Sequence, residues 1–227
     1  MTEIADIFAE NNMTLILSLP VNDPALARAA VAGGADMVKT HIHLKHQASG
    51  TGFGSLEEER QALLSILETV DIPVGLVIGA AETADEMEMD EVESMGFAYI
   101  DAYAHHLPAW MMARSRLPRM VAVEERYIDL IPQFENLGMD MVEAAVVPHQ
   151  EYGLPLNLYD LGVYGYICEI TDLPVIVPTQ KAIRPDEVTM LADAGISALM
   201  IGAIVTGSTP DSIEKVTAEY RQAIDKL

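Results

Sequence analysis

The 227-residue chain predicts an α/β fold, a closed (β/α)8 barrel of parallel strands, on three observations. Two kinds of strand-entry signal alternate along it, the runs they introduce are apolar on both faces, and helix-length intervals separate those runs. One entry is a Gly that ends a helical stretch: Gly34-Ala-Asp-Met, Gly96-Phe-Ala-Tyr, Gly138-Met-Asp-Met and Gly195-Ile-Ser-Ala. The other is Ile or Leu followed by Pro: Ile72-Pro-Val, Leu117-Pro-Arg and Leu173-Pro-Val. A terminal Gly lets a helix reverse through a left-handed residue with no Cβ clash. Pro after a helix blocks its continuation and biases the residue before it to extended geometry.

In order, strand one is the opening run 15–19 and strand two follows Gly34 as Met37-Val-Lys-Thr-His-Ile-His. Strand three is 74–78, after Pro73; strand four is Tyr99–Tyr103, after Gly96; strand five is 120–123, after Pro118. Strand six is 141–147, strand seven 175–177 and strand eight Ala198–Ile201. Runs apolar on both sides fit strands covered on both faces. Helical patterns lie between them at 56–70, 83–95, 127–137, 186–194 and 211–224, with a short helix at Ala109–Arg114 after strand four. Residues 2–10 read as an extra helix across the barrel bottom. Repeated strand–helix units argue for a parallel sheet. Eight of them close a ring, typically in ~250 residues. The competing architecture, an open doubly wound sheet, is less regular than this. Residues 1–227 read as one domain.

Fifty per cent hydrophobic residues supply a sizeable core. No apolar run reaches the ~18 residues of a membrane span. The acidic start Met-Thr-Glu-Ile-Ala-Asp lacks a signal peptide's basic region. One cysteine, Cys168, has no internal partner and reads as packing in a reducing cytoplasm. A net charge of −22 argues against nucleic acid and anionic membranes as partners.

Sites in this architecture lie at the C-terminal ends of strands. All six His fall there: His41, His43 and His46 after strand two, His105 and His106 after strand four, His149 after strand six. Strand alternation puts Lys39, His41 and His43 on one face, and Tyr99, Asp101 and Tyr103 on another. Glu124 ends strand five and Glu143 lies within strand six. Charges inside apolar strands are costly without partners. Lys39, Asp101, Glu124 and Glu143 are therefore expected to meet in the barrel mouth as a proton-transfer site. His41 and His43, two residues apart, offer an alternative pair of ligands for a divalent metal. No other cofactor is implied.

Segment 47–55, with three Gly, is long enough to close over a ligand. Segment 152–166 carries four Tyr and reads as a lid or a contact in a homo-oligomer. After strand eight, Gly202-Ala203-Ile-Val-Thr-Gly exposes backbone N–H groups, and a short helix N-terminus there suits phosphate. Lys181 and Arg184, after strand seven, add cations beside it.

From Gly138 onward, the Leu-Pro-Val-Ile entry, Ile183-Arg-Pro-Asp-Glu-Val and Ala-Gly-Ile-Ser-Ala-Leu-Met-Ile-Gly-Ala-Ile-Val-Thr resemble the ribulose-phosphate-binding barrels, N-acetylmannosamine-6-phosphate 2-epimerases above all. The likeness extends weakly over nearly the whole chain. It implies phosphate at Gly202 and Ala203, and sets Lys39, Asp101 and Glu124 at the family's basic and acidic strand ends. Two family features are absent. The Lys ending strand three is replaced in Gly75-Leu-Val-Ile-Gly79, and the Glu-Gly-Arg after strand seven by Pro178-Thr-Gln-Lys181. The stretch Glu-Ser-Met-Gly-Phe-Ala-Tyr-Ile-Asp101 is also similar to the pyridoxal phosphate synthase lyase subunit, which likewise has a Lys ending strand three.

The leading expectation is an enzyme that moves protons on a small phosphorylated sugar or related metabolite, an epimerase or isomerase. Lys39, Asp101, Glu124, His41 and His43 would act on the substrate, and Lys181, Gly202 and Ala203 would hold its phosphate. Glu143, His105 and His149 are further candidates. The alternatives are a metal-dependent lyase or hydrolase using rim His residues, and a non-catalytic phosphometabolite-binding protein.

Overall fold

The computed structural model describes residues 4–227. Eight parallel strands close a barrel: β1 (Thr14–Ser18), β2 (Met37–His41), β3 (Val74–Val77), β4 (Tyr99–Tyr103), β5 (Arg119–Ala122), β6 (Met141–Glu143), β7 (Val175–Pro178) and β8 (Ala198–Ile201). They follow chain order around the ring, and β8 pairs with β1 through Thr14 opposite Ala198.

Both entry devices work as local chemistry requires. Gly34, Gly96, Gly138 and Gly195 all have positive φ, between 89° and 101°. At the other entries Pro contributes its acceptor and needs no donor. Val38 donates to the Pro73 carbonyl at 3.0 Å, Ile100 to Pro118 at 2.9 Å and Val142 to Pro174 at 3.0 Å. The missing N–H thus sits just before the ladder begins.

Helices pack outside the ring, among them Pro24–Ala32, Leu56–Thr69, Glu86–Met95, Leu158–Ile170 and Pro210–Ile224. Their buried faces and the outward strand residues make the larger core. A separate cluster fills the barrel interior, with Ile16, Met37, Tyr99, Met120, Met141, Ile176 and Met200. Gly75 makes room for it, because a Cβ there would overlap the Tyr99 ring. Helix Ile4–Glu10 sets Ile4, Ile7 and Phe8 against this cluster and closes the bottom, as the sequence suggests; the first two residues of the expected 2–10 helix lie outside the described residues.

Two expectations need correction. Strand six ends at Glu143, and 144–147 continue as an irregular segment that is apolar because it is buried, not because it is paired. The expected 127–137 and 186–194 helices each open with a 3-10 segment, Glu125–Leu130 and Pro185–Glu187. Cys168 is half-buried, and burial pushes its thiol up to about 11, as suits packing. No helix among the described residues is long and apolar enough to cross a membrane.

Candidate functional site

The barrel interior carries one layer of charge above its apolar filling. Lys39, Asp101 and Glu143 come from β2, β4 and β6. Alternate strands build a common layer in such a barrel, so the three side chains converge. Lys39 Nζ donates to Asp101 Oδ2 and to Glu143 Oε2, both at 2.8 Å, and all three residues are buried. Asp101 Oδ1 has no hydrogen-bond partner among the described residues.

Burial and charge set the protonation of this triad. Burial alone would strip the Lys39 ammonium, but the Asp101 and Glu143 charges outweigh it and hold its pKa well above the usual lysine value. Burial, then the Glu143 charge, pushes Asp101 far above the ordinary carboxylate range. Burial acts the same way on Glu143, yet Lys39 and a hydrogen bond from Asp101 overcome it and hold Glu143 low. The triad therefore contains an ammonium, one carboxylate and one carboxylic acid, with the labile proton on Asp101.

The triad forms the floor of a 280 Å³ cavity at the C-terminal end of the barrel. Five of the six His line it: His41, His46, His105, His106 and His149. His41 ends β2, with its Nε2 3.3 Å from Ser18 Oγ and its Nδ1 buried without a partner among the described residues. Burial, then His46 and Lys39, lowers its pKa, so the ring stays neutral.

Segment 47–55 is the turn and return of a β-ribbon, Leu44–Lys45 against Gly52–Phe53. That ribbon carries His46 over the mouth, 4.8 Å from the His41 ring, and Ser49 Oγ lies 2.9 Å from His46 Nδ1. Burial and Lys39 lower the His46 pKa to about 4. Sequence alternation missed His46 as a site residue because the ribbon, not the strand, aims it.

His43 does not share the face of Lys39 and His41. The strand ends at His41, and His43 has φ 54°, which turns its ring out to Glu88, 2.8 Å away. The expected His41–His43 metal pair is thereby broken. Among the described residues no group of three or more His, Cys, Asp or Glu side chains has a metal-holding arrangement. Glu124 lies beyond the end of β5 at the rim. It accepts from Arg126 Nη2 at 2.6 Å and stands 3.7 Å from His105 Nδ1, so it does not join the triad.

Lys181 is also placed elsewhere. It is buried outside the cavity, its Nζ 2.6 Å from Glu151 and 3.6 Å from Asp160, where it ties segment 149–160 to the end of β7. Arg184 is exposed and paired with Asp186. The loops after β7 and β8 meet at Gly202, whose N–H donates to Thr179 Oγ1 at 3.1 Å, leaving the Thr179 hydroxyl hydrogen free to donate elsewhere. Helix Ala203–Thr206 begins there, and its first backbone bonds run from Val205 and Thr206 to the Gly202 carbonyl. The N–H groups of Ala203 and Ile204 precede those bonds and have no intrahelical acceptor. Gly202, Ile204, Ser18 and Thr179 line the cavity and Ala203 does not. Ser18 and Thr179 are small polar residues that no spacing argument singles out. Val77 stands in the lining at the end of β3.

No family model matches the sequence, and no curated protein matches it. Solved structures do. Thiamine phosphate pyrophosphorylase from Pyrococcus furiosus aligns at 14% identity over 96% of this chain and 98% of that one, with TM-score 0.66. Phosphoribosylanthranilate isomerase from Thermotoga maritima aligns at 13% identity over 95% and 100%, with TM-score 0.66. N-acetylmannosamine-6-phosphate 2-epimerase from Clostridium perfringens aligns at 17% identity over 99% and 96%, with TM-score 0.61. The chain shares its fold with the ribulose-phosphate-binding barrels. The resemblance drawn from residues 138–227 thus holds at the level of architecture, and the reaction has to be argued from the cavity.

Proposed function

We propose that this protein is an enzyme that epimerises or isomerises a small phosphorylated metabolite by proton transfer at a carbon next to a carbonyl. The observation that carries the proposal is the buried Lys39–Asp101–Glu143 triad at the cavity floor, with an acidic proton on Asp101 and its Oδ1 unpartnered.

In this reading Lys39 acts as a fixed charge. Its amine is held protonated by two carboxylates, which suits it to polarise a substrate carbonyl and unsuits it to form an imine. A neutral imidazole, His41 or His46, takes the proton from carbon. The electron pair moves to the carbonyl oxygen, which receives the Asp101 proton, and an enol results. Return of a proton to the opposite face of the same carbon gives the epimer; return to the neighbouring carbon gives the isomer. The Asp101 carboxylate recovers its proton as the carbonyl reforms.

The phosphate is assigned to the turn after β8, with the N–H groups of Ala203 and Ile204 and the hydroxyls of Ser18 and Thr179 as donors. Gly202 supplies the turn, its own N–H being taken by Thr179. Lys181 has no part in this arrangement, and Lys45, which lines the mouth, is the nearer cation.

The test is incubation of the protein in D₂O with a panel of aldose and ketose phosphates, followed by NMR. The proposal predicts deuterium at the carbon next to the carbonyl for at least one member. Binding of a member without exchange in any of them would identify a binding protein instead.

A further inference from the structure

The phosphate turn and the ion triad occupy the β8–β2 side and the floor of the cavity; the β4–β6 side has a different chemistry. It is built from rings. Tyr103 lies 5.6 Å from His105 and 6.0 Å from His106, and the two imidazoles are 4.1 Å apart. Tyr127 extends the run, 5.8 Å from His105. Across the opening His149 and Tyr152 meet edge to face at 5.2 Å. Gln180 fixes Tyr152, donating to its hydroxyl at 2.7 Å while its own carbonyl oxygen accepts from Val147 at 3.1 Å.

Charge on this wall is internally neutralised. Arg126 binds Glu124 and sits 4.7 Å over the Tyr127 ring. Gln180, the carboxamide on this side, has both ends engaged, which leaves little fixed hydrogen bonding for a row of hydroxyls. A groove of 320 Å³ continues outward from the wall and shares Tyr103, Glu124 and His149 with the main cavity. The combined space exceeds what a short phosphorylated chain fills.

We propose that the β4–β6 wall stacks a planar aromatic or heteroaromatic group, so that the substrate is a phosphorylated compound carrying such a ring. The ring lies against Tyr103 and His105, the reacting carbon over Asp101, and the phosphate at the Ala203 turn. This rests on the phosphate and proton-transfer reading above and narrows its substrate class. Rings gain from offset and edge-to-face contacts that a polyhydroxylated chain does not make in the same way.

Isothermal titration with three probes tests it: phenyl phosphate, ribose 5-phosphate and inorganic phosphate. The expected result is phenyl phosphate binding about tenfold tighter than either of the others, the worth of a stacked ring. Tyr103→Leu and the half-exposed His105→Leu should each remove most of that gain and leave inorganic phosphate affinity unchanged. Phenyl phosphate binding no tighter than ribose 5-phosphate overturns the ring proposal while the phosphate reading stands. A gain that survives in both variants places the ring elsewhere and overturns it too. Failure of all three probes to bind removes the phosphate reading and the ring proposal together.

Discussion

Lys39→Met is the most informative single perturbation of the triad. Lys39 Nζ is 2.8 Å from a carboxylate oxygen on each side, and all three side chains are at most a tenth exposed. The methionine keeps the length and removes the charge, leaving Glu143 as a buried carboxylate without a cation. Breaking a buried pair from one side costs about 3–5 kcal/mol. At about 2–4 °C per kcal/mol for a chain of this size, the melting temperature should fall by about 6–20 °C. The pH dependence is sharper. In the variant Glu143 is driven to take up a proton, so its folded pKa rises above the unfolded value of about 4.3. The folded variant then binds one proton more than the unfolded chain, and its stability declines as pH rises, by about 1.4 kcal/mol per pH unit. In the wild-type protein Lys39 holds that carboxyl ionised and suppresses this particular loss. Urea denaturation of both proteins at pH 5, 6 and 7 measures the difference. It should widen by about 1.4 kcal/mol with each unit. A difference below about 1 kcal/mol, the ordinary mutational average, or one constant across the range would refute the assignment of charges.

Three further outcomes follow from other parts of the molecule. Gly75→Ala drives a methyl into the Tyr99 ring inside the barrel and should cost about 1–3 kcal/mol by overpacking, whereas Gly96→Ala meets no atom and should cost about 1 kcal/mol through its positive φ alone; urea titration separates them. Lys181→Met strands Asp160 and Glu151 and should destabilise by about 3–5 kcal/mol, yet leave inorganic phosphate affinity intact by calorimetry, opposite to a phosphate-binding lysine. With the His46 pKa near 4 and that of His41 also lowered, the catalytic base stays unprotonated in mild acid, so exchange rates should be flat from pH 7.5 to 5.5; an acid limb centred near 6.5, the unperturbed histidine value, would exclude both rings as the base.

The fold was legible because turn chemistry is local. A Gly that must adopt positive φ and a Pro that blocks a helix announce a strand without reference to anything distant, and every one of the seven entries from Gly34 to Gly195 introduces a barrel strand. The triad was legible in part for the same reason. Lys39, Asp101 and Glu143 interrupt apolar strands, and a charge in such a place needs a partner inside the ring. Strand ends were less readable. Alternation carried past His41 puts His43 on the wrong side, because one residue with φ 54° ends the strand. The buried run 144–147 continues past Glu143 for burial alone, and Glu124 stands beyond the last paired residue of its strand. Partners fixed by loop packing left no local trace. Lys181 meets Glu151 and Asp160 from the preceding strand–helix unit, and His46 reaches the mouth only because a ribbon folds back.

The most direct test compares wild-type protein with Asp101→Asn, which keeps the shape of the side chain and removes its acidic proton, for deuterium exchange into an accepted phosphorylated substrate. Loss of exchange of at least about 100-fold, the low end of a general acid's contribution, with phosphate affinity unchanged, is the result expected of a triad that delivers a proton from the cavity floor. Exchange at the wild-type rate in the Asn variant would show that the proton comes from elsewhere and that the triad only fills the barrel.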